Sequence, residues 1–423
     1  MTERQSAAIQ TRNLIRQYLS GREFRFRWSS RIPKAMSSFC IVAGLLAVTT
    51  LSSCRQSVSY TSVDDEAGDA SHAHGSVVES VPFADVDPRI AALDATALRV
   101  RYRSTSAADG SPTEASGALF IPRGDPPHDG WPIIALAPGV TATSQACVIS
   151  RTPDIAGWAG IIATYLKTGF AVAAADYPAV GDAAADHLLD PQTAGLNLID
   201  AVRALRASSD KVSNRWAAYG QAEGGAAAWA ANEQIAGRAA GLRLVGVVIV
   251  DPLIEVSSLV SAAADRSLTP EQKGLYTWVL TGLQRTHPTF DIDDYRRGLA
   301  KDNWNLLTTC AKPQAPERLR LLKEIPPEDL EPATPEATQR MVDLLTPTAL
   351  PQRRAQAPML VAYGGDNQLI PSQRTRDAIA RACAMGSWVA ALPVDTSDEW
   401  RMTVTLGQWL NARFDGFPAA SSC

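Results

Sequence analysis

The chain has 423 residues, 46% of them hydrophobic and 20% charged, as in a globular protein with a large core. Its net charge of −4 is uneven: residues 1–53 hold eight Lys or Arg against two Glu, so they carry +6 and the remainder carries −10. An acidic body excludes nucleic acid as the expected partner. The length allows one large domain with an insertion, or two domains.

Residues 1–53 are typical of an export signal. A basic stretch ends at Lys34 and precedes the apolar run Phe39–Leu51, which is too short to span a bilayer comfortably and suits a signal-peptide core. The run finishes in Leu51–Cys54, which resembles a bacterial lipobox, in which the Cys is acylated. We therefore predict an exported protein that is lipid-anchored through Cys54 to the outer face of the bacterial cytoplasmic membrane or cell envelope. The alternative is an ordinary secretory signal, or a membrane anchor with a Cys nearby.

Residues 54–82 are predicted to form a flexible linker, because Ser, Asp, Gly and Ala dominate and large apolar side chains are few. His72 and His74 form a His-x-His pair in this stretch. Two histidines in a flexible acidic linker are more often solvated than metal-bound, so we predict no metal site here.

The cysteines beyond Cys54 are even in number, which favours two disulfides in an exported protein, although three pairings are open. None has the spacing of a zinc ligand, and we expect no metal and no cofactor. These four residues are Cys147, Cys310, Cys383 and Cys423.

Strands and helices alternate along most of the chain, a rhythm that predicts an α/β fold with a mostly parallel sheet covered by helices on both faces. The predicted strands are 98–103 and 117–122 (a hairpin), 131–139, 169–178, 215–219, 242–252, 358–365 and 387–393. The predicted helices are 155–167, 193–207, 223–237, 372–384 and a last one that ends at Phe414. Residues 254–355 break the rhythm with helical patterns at 270–284, 292–299 and 335–345, so we predict a helical cap inserted into a core of residues 83–253 and 356–423.

The segment Gly220–Gly224 lies between a predicted strand and an Ala-rich helix, and it fits the turn written G-x-S-x-G in α/β-hydrolases. Larger residues at the flanking glycines would crowd the neighbouring strand and helix. The central position, however, is Ala222, whose methyl group offers no nucleophilic oxygen. The turn is therefore predicted without its usual chemistry.

An ordered set of such segments resembles the secretory lipase family of α/β-hydrolases over most of residues 85–423. The matching segments are Tyr102–Thr105, Asp109-Gly110, Gly130–Pro132, Asp176–Gly181, Gly220–Gly225, Tyr363–Asp366, Ile370-Pro371 and Trp409–Gly416. The resemblance implies an α/β-hydrolase fold with an inserted helical cap, and disulfides that join Cys147 to Cys310 and Cys383 to Cys423.

The resemblance also assigns the positions of a Ser-His-Asp triad, which needs an attacking oxygen, a base and an orienting carboxylate. Asp366 fills the position of the acid, Ala222 stands at that of the nucleophile, and Thr396 stands within a residue or two of that of the histidine. No histidine follows His287 in the chain. The oxyanion-hole region corresponds to Gly139, Val140 and Glu223, and here Pro138 replaces the family's histidine and removes a backbone N–H.

Three explanations compete for this pattern. An engineered Ser-to-Ala trap would explain Ala222 but not the missing histidine. A relocated catalytic set could use Glu223, Asp366, Asp398 or His187, although each has an ordinary structural explanation: Glu223, for example, opens a helix, where a carboxylate suits the helix dipole. We favour a pseudoenzyme that kept the fold and lost turnover.

The predicted function is therefore that of an exported, lipid-anchored, lipase-like protein that binds an acyl or lipid ligand, or a protein partner of unknown identity. The alternatives are an active lipase or carboxylester hydrolase with a relocated catalytic set, and a structural envelope protein. The helical cap over the carboxyl edge of the sheet would provide the apolar cleft for an acyl chain.

Overall fold

The computed structural model describes residues 73–139, 148–176, 189–238, 240–309, 314–364, 369–394 and 399–423. In these residues a sheet of nine strands has the order β1-β2-β3-β5-β4-β6-β7-β8-β9. The strands are β1 (Val77–Pro82), β2 (Thr96–Thr105), β3 (Pro112–Ile121), β4 (Trp131–Ala137), β5 (Ala171–Ala175), β6 (Val212–Gln221), β7 (Arg243–Val250), β8 (Met359–Gly364) and β9 (Val389–Val394). The pairings among β1, β2, β3 and β5 are antiparallel and the others are parallel, which confirms the mostly parallel sheet.

The α-helices of the described residues follow the predicted alternation with the sheet. They are α1 (Pro88–Ala91), α2 (Ala159–Lys167), α3 (Pro191–Ala207), α4 (Glu223–Gln234), α5 (Ser258–Ala264), α6 (Pro270–Thr286), α7 (Gly298–Asp302), α8 (Trp304–Leu307), α9 (Ala315–Glu324), α10 (Pro335–Leu345), α11 (Ser372–Ala384) and α12 (Glu399–Phe414). No helix in this part of the chain is both long enough and apolar enough to cross a bilayer.

Both faces of the sheet are buried, because alternate residues of each strand enter different hydrophobic clusters. In β4, Ile133 and Ala135 pack with α3, α4 and α11 on one face. On the other face, Leu136 packs with α2, and Ile134 packs with α12. This two-sided burial explains the continuous apolar run in the sequence and confirms helices on both faces.

The segment between β7 and β8 builds a hydrophobic cluster of its own, centred on side chains such as Tyr276, Tyr295 and Met341. The predicted helices at 270–284 and 335–345 correspond to α6 and α10. The predicted helix at 292–299 is wrong: a 3₁₀ turn, Ile292–Asp294, is followed by an extended stretch and the short α7. A single helix is interrupted there, because Gly298 has a φ of +48°. A Cβ at this position would lie 2.6 Å from Oδ1 of Asp329, so only glycine fits.

The linker prediction is also wrong for residues 77–82, which form β1 at the edge of the sheet. Val81 pairs with Arg99, and Arg101 forms an ion pair with Glu79 at 3.3 Å. Most side chains of β1 are exposed, so an edge strand here needs none of the apolar alternation by which strands are recognised. Main-chain pairing with β2 holds it in place.

The end of the chain is fastened to β9, the other edge of the sheet. Cys383 and Cys423 form a disulfide, which is one of the two pairings that the resemblance implies. The N–H of Ser422 donates to the carbonyl oxygen of Val389 at 2.7 Å, and the indole N–H of Trp388 donates to the carbonyl oxygen of Ala419 at 3.0 Å. Cys147 and Cys310 lie outside the described residues, as does Cys54.

Candidate functional site

The turn between β6 and α4 has the geometry that the glycine pattern predicts. Ala222, at its tip, has φ 53° and ψ −117°, a conformation that costs a non-glycine residue about 1–3 kcal/mol. Two backbone hydrogen bonds hold it: its N–H donates to Val250 at 3.0 Å, and its carbonyl accepts from Leu253, also at 3.0 Å. The strained turn is therefore retained although its tip has no nucleophile.

The glycines beside Ala222 are required by close backbone contacts. A Cβ at Gly220 would lie 2.1 Å from the carbonyl oxygen of Gly224. A Cβ at Gly224 would lie 1.8 Å from the carbonyl oxygen of Ala137, at the end of β4. Helix α4 thus begins in direct contact with the strand ends.

The methyl group of Ala222 faces apolar surroundings. It packs against the hydrophobic cluster of the cap helices, as do Leu189 and Leu369. A Cβ built on Gly139, in the predicted oxyanion-hole region, would lie 3.4 Å from the Cβ of Ala222. The predicted nucleophile position and Gly139 of the predicted oxyanion region therefore lie side by side, and the methyl group of Ala222 faces Gly139.

The side chain of Glu223, at the start of α4, is buried. Its Oε1 accepts a hydrogen bond from the N–H of Leu189 at 3.1 Å, while its Oε2 has no hydrogen-bond partner among the described residues. Burial, and secondarily the nearby charge of Asp190, raises the pKa of Glu223 to about 8, against the opposing effect of the Leu189 hydrogen bond. At neutral pH this carboxyl group is mostly protonated.

A small cavity of about 10 Å³ adjoins Glu223, enough for one water molecule. Its lining combines core residues with the two segments through which the chain enters and leaves the cap, so we call it the seam cavity. Glu255 also lines it. The hydroxyl of Ser257 donates to one oxygen of Glu255, and the other lies 3.5 Å from Nε of Arg374, an ion pair without a hydrogen bond.

Several predicted site residues lie outside the described residues: Val140, Asp366 and Thr396, and with them the alternative candidates His187 and Asp398. The structure therefore brings together Gly139, Ala222 and Glu223 of the predicted set. His287 lies elsewhere, at the end of α6, where its Nδ1 is 2.7 Å from the hydroxyl oxygen of Thr286.

Two carboxyl groups near the turn were missed by the sequence reasoning. Asp251 follows β7 directly, and its Oδ1 accepts from the N–H of Gly364 at 2.8 Å, which ties the ends of β7 and β8 together. Asp251 could have been recognised from the sequence, because the pair Asp251-Pro252 directly follows a buried apolar run. No sequence pattern pointed to Glu255, because only the folded cap brings it to the same cavity as Glu223. Among the described residues, no three His, Cys, Asp or Glu are grouped so as to hold a metal ion.

Comparison with known proteins supports the resemblance. A family model described as secretory lipase matches residues 155–309, which contain the turn, α4 and much of the cap. No sequence among the curated proteins matches this chain.

Solved structures of lipases and esterases share the fold. Candida antarctica lipase A in its closed state is similar with a TM-score of 0.67 and 17% identity, over 83% of this chain and 85% of that one. A rice cell wall degrading esterase, LipA from Xanthomonas oryzae, is similar with a TM-score of 0.65 and 18% identity, over 81% of this chain and 100% of that one. The α/β-hydrolase fold and the likeness to secretory lipases are thus confirmed.

Proposed function

We propose that this protein is an exported, lipid-anchored, secretory-lipase-like protein that does not turn over esters and instead binds a lipid or acyl ligand. The proposal rests on one observation at Ala222. The chain keeps the strained turn of a hydrolase, but the tip of that turn is a methyl group that packs against apolar cap residues. The predicted export signal and Cys54 support an exported, anchored protein, and the match to a family of secretory lipases supports export.

Loss of ester turnover is expected from the residues at the nucleophile and histidine positions of the triad. Acyl transfer needs an attacking oxygen and a base that takes its proton, and neither Ala222 nor Thr396 can supply those functions as the family does. In a comparable triad enzyme, losing these groups lowers kcat by about six orders of magnitude. The pseudoenzyme interpretation needs no further assumption.

Glu223 is a poor substitute nucleophile or base, which argues against a relocated catalytic set. Its carboxyl group is mostly protonated at neutral pH, because burial raises its pKa to about 8. The seam cavity beside it has room for about one water molecule, too little for an ester and its alcohol. Hydrolysis through Glu223 would require the cap segments to separate first.

We expect the purified protein to leave p-nitrophenyl butyrate unhydrolysed and to resist covalent labelling by a fluorophosphonate probe. Both results follow from the absence of an activated oxygen at Ala222. The double variant Ala222→Ser/Thr396→His is the matched control, since it restores the missing atom types and reports whether the probe reaches the turn. Labelling of the unaltered protein at any residue of the cleft would defeat the proposal.

The ligand half of the proposal predicts that lipid co-purifies with the protein. Organic extraction followed by mass spectrometry should release non-covalent fatty acid or phospholipid, whereas an acyl group on Cys54 stays attached to the chain. Ala222→Trp is the matched variant, because an indole at the turn would press against the cap cluster that the methyl group of Ala222 contacts and should lower the yield of lipid. Extracts without lipid would favour the structural envelope protein.

A further inference from the structure

A second cavity, of about 370 Å³, lies outside the candidate site and shares no lining residue with the seam cavity. Four segments enclose it: the turn between β2 and β3, the start of α3, the end of α4 with the 3₁₀ turn that follows, and the stretch by which the cap returns to β8. Its volume is within the range of small-molecule sites. Nothing in the lipase-like chemistry uses it.

The first cationic group of this cavity is Arg238, just beyond α4. Its Nη1 lies 3.4 Å from the hydroxyl oxygen of Thr105 and 4.0 Å from Oδ2 of Asp200, both long contacts. Asp200 has closer partners in Arg203, at 2.7 Å, and Ser104, at 2.9 Å. The guanidinium of Arg238 therefore keeps donors available toward the cavity.

The second cationic group is Arg353, on the stretch that leaves the cap. Its backbone N–H donates to Oε2 of Glu233 at 3.2 Å, which fixes the main chain at the cavity wall. Its guanidinium group makes no hydrogen bond and no ion pair within 4 Å with any residue that the structure describes, although its charge acts on the carboxyl group of Glu233 and opposes the rise in the pKa of that group. The two arginines thus come from separate segments and meet at one cavity.

Gln192 and Gln234 also lie in the wall of the cavity. The side-chain nitrogen of Gln192, at the start of α3, is shielded from solvent and has no partner among the described residues. The side-chain nitrogen of Gln234 donates to the backbone oxygen of Gln192 at 2.9 Å, which positions both glutamines at the wall. No Asp or Glu is among the residues that line the cavity.

We propose that this cavity binds a small organic oxyanion, a carboxylate or phosphate carried on a sugar-sized molecule. Guanidinium groups match the planar oxygens of both anions, and the charge-assisted hydrogen bonds that they form are stronger than neutral ones. The site is independent of the proposed lipid ligand.

Isothermal titration of the purified protein with glucose 6-phosphate, glucuronate and neutral glucose tests the proposal. We expect saturable binding of at least one of the two anions and none of glucose, and the two anions separate phosphate from carboxylate recognition. Arg353→Ala should weaken binding about tenfold or more, as expected when a charged donor is lost. The neighbouring exposed Arg354→Ala is the matched control and should change the affinity less than about twofold.

Three outcomes would overturn the proposal: no saturable binding of either anion at millimolar concentration, binding of glucose as tight as that of the anions, or equal losses in the Arg353 and Arg354 variants. Arg238→Gln provides a second variant from the opposite wall and should weaken the same anion. Thermal melts without ligand establish that each variant is folded, so a loss of affinity reports on the cavity.

Discussion

Replacing Gly224 with alanine is expected to prevent the chain from reaching its native fold. The added Cβ would lie 1.8 Å from the carbonyl oxygen of Ala137 and 2.5 Å from that of Pro138. Both neighbours are backbone atoms, so no side-chain rotation relieves the contact and α4 would have to move away from β4. Ordinary overpacking costs about 1–3 kcal/mol, and this contact should cost more, against a total stability of about 5–15 kcal/mol.

The measurement is soluble yield together with the near-ultraviolet circular dichroism and melting temperature of the purified variant. Gly237→Ala is the matched control, because this glycine follows the same helix and a Cβ there would have nothing within 4 Å. That control should melt within a few degrees of the unaltered protein. A Gly224→Ala protein as stable as the control would show that α4 does not begin against the end of β4.

The turn could be predicted from the sequence because its requirements are local. Gly220 and Gly224 are required because the backbone packs closely around this strand-turn-helix unit, and the same short segment contains the G-x-S-x-G-like pattern by which the turn is recognised. The buried strands could also be predicted from the sequence, since burial on both faces of the sheet requires a continuous apolar run. By contrast, β1 is a short edge strand whose side chains, valines included, are mostly exposed, so the composition of the surrounding residues suggested a linker.

The environment of Glu223 could not be predicted, because it depends on residues far away in the chain. Leu189 supplies its hydrogen bond, and Glu255 and Thr348 close the seam cavity around it. The sequence indicated only that a carboxylate at the start of a helix suits the helix dipole. The folded cap is what turns a helix-start carboxylate into a buried acid.

The carboxyl group of Glu223 is expected to make the protein less stable as the pH rises from about 4.5 to about 8. The ordinary pKa of a solvated glutamate is 4.5, and in the fold the pKa of Glu223 is raised to about 8, chiefly by burial. Below the lower value both states hold the proton. Above it the unfolded chain releases a proton that the folded chain keeps, so unfolding is favoured by ~1.4 kcal/mol for each pH unit until the folded group also ionises.

Urea denaturation of the unaltered protein and of Glu223→Gln between pH 4 and 9 measures this effect. The variant keeps the shape of the side chain and an oxygen that can accept from Leu189, but it cannot ionise. The difference in the free energy of unfolding should move in favour of the variant as the pH rises, by several kcal/mol in total, and level off above pH 8.

Glu233→Gln is the matched comparison, because Glu233 lies on the same helix and burial is the main cause that raises its pKa, to about 7. Its difference curve should level off about one pH unit lower, which separates Glu223 from the other buried acids. The buried position of Glu223 would be refuted by a difference between the unaltered protein and Glu223→Gln that stays constant across the range. A constant difference would mean that the group ionises equally in both states, which a carboxyl enclosed by the cap segments cannot do.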